Sequence, residues 1–251
     1  MGGLVTWARA QTLWALFDLG EWEELRLIAD ELISWEQAHG RSYVGSLALP
    51  YKAHVLVRTG GVDEAGALVE ESLPRARSID DPQVLAPTLA AGALIEQARG
   101  RLPAAIELLE ELDRTTRDPF RAIHVADAVR ICAAAGGLPL ARKLLGQVPD
   151  AMARHRYVRL TGEAVADEAE GSLEQAAERY AAAAGRWQDY GHVPEQALAL
   201  LGRGRCLLTL GRPNTEQPLR EAARLLAAMG YKPALAETEG LLERVAATSA
   251  S

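Results

Sequence analysis

Aromatic residues are scarce in this chain of 251 residues, at 5% of the total, and β-branched runs with a two-residue alternation are missing. Because that alternation is the main sign of a β-strand, its absence argues against a sheet-based fold. Alanine and leucine are frequent instead, and both favour helix. Apolar residues make up 49% of the chain, which is enough for a core, so we predict an all-α protein.

Basic charge is also in short supply. The chain has 27 lysines and arginines against 34 acidic residues, for a net charge of −7. Proteins that bind nucleic acid usually carry a basic stripe, so we expect no nucleic-acid partner. The only lysines are Lys52, Lys143 and Lys232. This bias toward arginine is typical of a GC-rich genome, and we expect a bacterial source.

Cysteine occurs only twice, as Cys132 and Cys206, which is too few for a disulfide framework. Both fall inside helical patterns, and we interpret them as buried thiols of a reducing cytoplasm. No apolar run approaches the roughly 18 residues that a membrane-spanning helix needs. The first 20 residues have no basic segment ahead of an apolar one, so no signal peptide is expected. A cytoplasmic protein without membrane contact is therefore predicted.

Motifs that carry chemistry are missing as well. The chain has no P-loop pattern and no serine nucleophile pattern. Gly202 and Gly204 match part of a dinucleotide fingerprint, but its third glycine and its preceding strand are lacking. The five histidines are dispersed, without zinc spacing. We predict no catalytic residue, no metal, no cofactor and no enzymatic activity.

What the chain does have is a regular series of glycines. Each lies between two segments whose apolar residues recur at three and four positions, as in an amphipathic helix. Glycine suits such a turn because it adopts the left-handed conformation that ends a helix. The six are Gly20, Gly60, Gly100, Gly136, Gly171 and Gly211, with gaps of 40, 40, 36, 35 and 40 residues.

This period predicts a single repeat domain over residues 1–251, an α-solenoid of about six helix–turn–helix units with a C-terminal capping helix. Asp81 and Pro82 mark one joint between units, since an N-cap acid precedes a proline at the first helical position. The fourth unit is the shortest, and we expect the superhelix to bend there. The predicted units are 4–40, 41–80, 81–117, 118–149, 150–191 and 192–230, and the capping helix is 231–247.

Small or apolar residues recur five positions after the glycines, where they would let neighbouring helices cross closely. The sixth unit departs from this rule, with Glu216 at that position. The residues that follow the rule are Leu25, Ala65, Ala105, Ala141 and Ala176.

The turn between the two helices has a recurring pattern: a glycine, an apolar residue two positions later and an alanine five positions later. This pattern resembles the tetratricopeptide repeat (TPR). That family also has a small residue seven positions before the glycine. Four units match it, and Leu13 and Val129 depart from it. The spacings exceed the usual 34 residues, so the chain is TPR-like rather than strict. The matching small residues are Ala53, Ala93, Ala164 and Gly204.

The segment over residues 202–230 resembles the C-terminal repeat region of large bacterial regulators. Those proteins place a nucleotidyl cyclase or DNA-binding domain beside a signal-transducing ATPase of the STAND type, followed by such repeats. The resemblance implies a non-catalytic protein–protein interaction module with a sensor or regulatory role. Two alternatives stay open: a stand-alone TPR scaffold, and the C-terminal fragment of an ATPase or cyclase whose active domain lies upstream.

The TPR resemblance also implies a groove lined by the first helix of each unit. Residues at fixed offsets before the glycine would face it and capture a protein or peptide partner. The alternative is that several of them are rim or core residues. The possibility that a small ligand binds the inner surface also stays open. Carried over to this chain, the groove residues are Gln11, Trp14, Asp18, Tyr51, His54, Arg58, Arg130 and Arg205.

The first helical segment is apolar on more than one side, with Trp7, Trp14 and Phe17 among its residues. The end of a repeat array is expected to be polar outside. Three explanations compete: contact with an upstream domain, a homodimer contact, or binding of another partner. We favour the upstream domain.

Overall fold

The computed structural model describes residues 3–117 and 119–249, and all regular structure in this part of the chain is α-helical. Asp118, predicted to open the fourth unit, lies outside the described residues. The helices are α1 (Gly3–Leu19), α2 (Trp22–His39), α3 (Tyr43–Thr59), α4 (Val62–Ile79), α5 (Pro82–Ala98), α6 (Leu102–Thr115), α7 (Phe120–Ile123), α8 (Val125–Ala134), α9 (Leu138–Gly146), α10 (Ala153–Ala169), α11 (Leu173–Tyr190), α12 (Val193–Thr209), α13 (Glu216–Met229) and α14 (Lys232–Ser249).

The helices alternate between an inner and an outer layer. The first helix of a unit is covered on several sides, and in α5 every residue from Val84 to Ala93 is buried. The second helix buries a single stripe, which in α6 includes Ala105, Leu109 and Leu112. One buried stripe is typical of a helix with solvent on its far side. The first helices therefore form the inner layer, and the predicted all-α solenoid is confirmed.

The six turn glycines all adopt the left-handed conformation that their position predicts. Gly60, for example, has φ of 93°, and the next amide, of Gly61, donates to the carbonyl of Leu56 at 2.8 Å. A residue with a Cβ is strained at such φ values, which explains why glycine recurs at the turns.

The residue five positions after the glycine is the fourth residue of the second helix, and it is fully buried in the first five units. Glu216 is exposed because it begins α13, so the turn after Gly211 is three residues longer than its counterparts. The fourth residue of α13 is Leu219, which is fully buried. It packs against Gly204, where an added Cβ would overlap the Leu219 side chain. The sixth unit thus keeps the small-residue crossing with a lengthened turn.

The fourth unit is the irregular one. Its inner helix is interrupted at His124, which separates the four residues of α7 from α8. Its outer helix, α9, has nine residues, against 18 in α2, α4 and α11. The bend expected at this unit stays a prediction.

The array closes on itself, because its first two units contact its last three helices. Helix α1 contacts α12, and α14 contacts α3. At this seam the rings of Trp22 and Tyr231 lie 5.4 Å apart, and Gly20 lies against the Met229 side chain. Helix α14, predicted as a cap, also packs on α12 and α13. As a result, the inner face of the solenoid is partly enclosed.

Candidate functional site

The partly enclosed inner face holds two cavities of about 530 and 550 Å³. The larger is lined by the second half of α1, by α3 and α7, and by the starts of α10 and α12. We call it the aromatic cavity after Trp14, Tyr51, Phe120 and Tyr190. The smaller lies toward the turn glycines. We call it the charged cavity, after the four residues Arg130, Glu168, Arg205 and Glu237. Arg58 and Asp127 line both cavities and so lie between them.

Two ion pairs cross the interior at the boundary of the cavities. Arg58 on α3 donates from Nη2 to Oδ2 of Asp127 on α8 at 2.5 Å. Arg130, one turn further along α8, forms a bidentate pair with Glu195 on α12 at 2.8 and 2.6 Å. Arg130 also donates to Oδ1 of Asp127 at 3.1 Å. Three inner helices that are distant in sequence are thereby joined by one network of charge-assisted hydrogen bonds.

A third ion pair ties the first unit to the fifth. Arg154 at the start of α10 donates through both terminal nitrogens to Asp18 on α1, with Nη2 to Oδ1 at 3.1 Å. His192 places Nε2 at 3.2 Å from the same carboxylate. The Nδ1 atom of His192 accepts from the amide of Glu195, so the ring carries its proton on Nε2. Asp18 is thus held by donors from two later units.

Burial and the surrounding charges shift the pKa values of this network. Burial alone would raise the pKa of Asp127, but the guanidinium groups of Arg58 and Arg130 outweigh it and hold that pKa far below its usual range. Burial would lower the pKa of Arg130, yet Glu195 and Asp127 raise it. Both groups are therefore charged at neutral pH, and their charges cancel.

Three histidines of the aromatic cavity, His54, His124 and His192, are neutral. Burial lowers the pKa of His124 and of His192 to about 4, although Asp127 and Asp18 respectively oppose the shift. Burial and then Arg58 lower the pKa of His54 well below its usual value. The His54 ring donates from Nε2 to the Pro87 carbonyl, accepts at Nδ1 from Arg58, and stacks on His124 with centroids 5.5 Å apart.

The structure brings all eight predicted groove residues to the partly enclosed interior. Six of them line the aromatic cavity. Arg58, one of these six, also lines the charged cavity, together with Arg130 and Arg205. Gln11 and Trp14 are exposed, whereas Asp18, His54 and Arg58 are buried. Arg205 pairs with Glu168 at 2.5 Å and with Glu237 at 2.6 Å. Their role in binding a partner stays a prediction.

Several residues of the network were missed at the level of sequence. Asp127 lies nine residues before Gly136, the offset at which Gln11 and Tyr51 precede their own glycines, so the same rule could have found it. Arg154 and Glu195 lie near the starts of α10 and α12, far from the turns. No offset predicts them, because they reach the site only through the closure of the array.

The described residues contain no group of three or more histidine, cysteine or acidic residues that could hold a metal ion. Cys132 and Cys206 are both buried and unpaired, and burial raises the pKa of each thiol, to about 11 and about 12. A thiol with so high a pKa is a poor nucleophile. In the part of the chain that the structure covers, no helix is long and apolar enough to cross a membrane.

No protein-family model matches the sequence, and a search of the curated proteins finds no match either. Among solved structures, the chain is similar to a Signal Transduction ATPase with Numerous Domains (STAND) protein with a tetratricopeptide repeat sensor, from Pyrococcus horikoshii. The likeness covers 90% of this chain at 14% identity with a TM-score of 0.57, and this chain spans 37% of that protein's length. At this identity the likeness concerns the fold, and the chain has the fold of a TPR-like repeat region.

Proposed function

We propose that the chain is a non-catalytic interaction module that serves as the sensor or regulatory region of a larger signalling or transcriptional regulator. The similar solved structure supports this, because it pairs a TPR sensor with an ATPase and extends well beyond the part that this chain matches. The bacterial source and cytoplasmic location expected from composition belong to the same proposal.

The observation that carries the proposal is the exposed apolar face of α1. Leu4 is 82% exposed, Val5 52% and Trp7 40%, although all three are large apolar side chains at one end of the array. Exposed apolar patches of this kind usually mark an interface. We propose that a neighbouring domain of the same regulator packs on this face, which leaves the partly enclosed interior free for a different role.

Reading the gene upstream of Met1 tests the regulator directly. An open frame that encodes a P-loop ATPase, a cyclase or a DNA-binding domain is expected. A stop codon and a ribosome-binding site would instead favour the stand-alone scaffold. Because the chain is proposed to be non-catalytic, the pure protein should not hydrolyse ATP, and robust turnover would contradict the proposal.

The docking face is tested on the repeat region joined to its neighbouring domain. We expect Leu4→Asp with Trp7→Asp to weaken the contact between the two parts, measured as increased proteolysis of the connection. Leu27→Asp is the matched control, since Leu27 is 61% exposed and belongs to α2 rather than α1. Light scattering on the repeat region alone distinguishes the rival explanation: a monodisperse dimer that Trp7→Asp dissociates would assign the face to a homodimer.

A further inference from the structure

We propose that the aromatic cavity binds a small, uncharged, planar aromatic compound. The inference deepens the proposed sensor role by naming the class of signal. Binding can be measured on this chain alone, so a negative result here would leave the test of the neighbouring domain untouched.

The first support is size. At about 550 Å³ the cavity falls within the range of roughly 300–1,000 Å³ that is typical of small-molecule sites. It lies where inner helices of several units converge, between α1, α3, α7, α10 and α12. A folded protein or a helix does not fit a space of this volume, whereas a compound of two or three rings does.

The second support is the apolar character of the rim. Trp14, Met152 and Tyr190 come from three different helices or loops, and each is more than two-fifths exposed. All three nevertheless line the same cavity. Covering apolar side chains of this size with a ligand lowers the free energy of the complex. Aromatic rings also favour stacked or edge-to-face contact with a second ring.

The third support is the absence of net charge. Arg154 faces the cavity but is paired with Asp18, and Arg58 is paired with Asp127. The neutral rings of His54, His124 and His192 add no charge. A charged ligand would bring an uncompensated charge into a buried site, which is strongly unfavourable. An uncharged ligand avoids this cost.

Polar groups remain that could orient the ligand. The Tyr51 hydroxyl and the His124 ring line the cavity, and neither has a side-chain hydrogen-bond partner among the described residues. Burial raises the pKa of Tyr51 to about 12, so this hydroxyl stays a donor at neutral pH. A compound with one or two polar atoms on its ring edge would complete these hydrogen bonds.

Two fluorescent probes that share one ring system and differ by a single sulfonate group test the proposal. N-phenyl-1-naphthylamine is uncharged and carries one N–H, and 1-anilinonaphthalene-8-sulfonate is the same ring system with a sulfonate. We expect the uncharged probe to bind the wild-type chain with 1:1 stoichiometry and blue-shifted emission, and the sulfonate to bind at least tenfold more weakly. Absence of saturable binding by the uncharged probe, or equal binding of both, would overturn the proposal.

Matched tryptophan variants locate the bound probe. Trp14→Ala should weaken binding of the uncharged probe about three- to tenfold, since one aromatic contact is lost. Trp7→Ala removes a similarly exposed ring from the same helix outside the cavity, and it should leave affinity unchanged. Equal effects of the two variants would place the probe on the α1 surface and overturn the assignment.

A second pair of variants blocks the cavity. Ala153 lines it, while Ala151 is exposed two residues earlier and does not. Ala153→Trp should weaken probe binding by roughly tenfold or more because the ring occupies the ligand's space, whereas Ala151→Trp should not. Circular dichroism establishes that each variant is folded, and unaltered binding by folded Ala153→Trp would contradict the proposal.

Discussion

Arg58 and Asp127 lie 69 positions apart in the sequence, yet their side chains meet at 2.5 Å inside the protein. Arg58 is 4% exposed, and its guanidinium lies 5.3 Å from the Phe17 ring and 5.8 Å from the Tyr231 ring. The pair therefore joins the second and fourth units and is surrounded by Phe17 of the first unit and Tyr231, which lies just before α14. It connects both ends of the closed array to its middle.

Removal of Arg58 is predicted to be strongly destabilising. Arg58→Ala leaves the buried Asp127 carboxylate with one arginine fewer, and breaking a buried ion pair from one side costs about 3–5 kcal/mol. Arg77→Ala is the control, because Arg77 pairs with Glu111 at 2.7 Å on the surface, where a pair contributes up to about 1 kcal/mol. Urea unfolding measures the stability of both variants. Similar losses of unfolding free energy would show that the interior pair contributes no more to stability than the surface pair.

Stability is predicted to fall in mildly acidic solution because of the cavity histidines. The pKa of His124 and of His192 is about 4 in the folded protein. In the unfolded chain it is near the ordinary histidine value of about 6.5. The unfolded chain therefore binds more protons between these values, and stability decreases as pH falls from about 6.5 toward 4. Each histidine contributes a slope approaching about 1.4 kcal/mol per pH unit within this window.

Urea midpoints at pH 7, 6 and 5 measure this effect. The His54 ring stacks on His124. The charged groups around the two rings are all paired ions: Asp18, Arg58, Asp127, Arg130 and Arg154. The lowered pKa of Asp127 acts at lower pH and does not overlap the window. His124→Phe should flatten the dependence by about a third, since His54 and His192 are also neutral rings with a lowered pKa. A midpoint that does not change between pH 7 and pH 5 would contradict the neutral state of both rings.

The small-residue crossing gives a third prediction. Ala176 is the fully buried fourth residue of α11, so Ala176→Trp should destabilise the protein by about 1–3 kcal/mol through overpacking. Ala182 is exposed on the same helix, and Ala182→Trp should leave the melting temperature almost unchanged. Calorimetry compares the two variants, and equal melting temperatures would mean that the crossing tolerates bulk.

The repeat architecture could be predicted because each of its causes is local. A glycine such as Gly60 is needed for one left-handed turn, and a small residue such as Ala105 for one helix crossing. Both residue types therefore recur at a fixed spacing in the sequence. Even the departure at Glu216 has a local cause, since Pro213 and Asn214 lie in a turn lengthened by three residues. The helix pairs can be predicted directly from these recurring residues.

The closed interior could not be predicted in the same way. Whether Asp18 meets Arg154 depends on the curvature of the whole array, which accumulates from small rotations between successive units. No single residue determines that sum. The offset rule therefore placed Asp18, His54 and Arg58 on the inner face, but it could not show that the array closes around this face.

The closure itself can be tested through the pair that spans it. Arg154→Ala removes both terminal donors from the Asp18 carboxylate, so the contact between the first and fifth units should weaken. Local opening raises hydrogen exchange where it occurs, and we expect faster amide exchange in α1 with little change in α6. Arg142→Ala is the control, since Arg142 pairs with Glu170 at 2.7 Å on the exposed outer side. If α1 exchanges at the same rate in both variants, the Asp18–Arg154 pair does not hold the array closed.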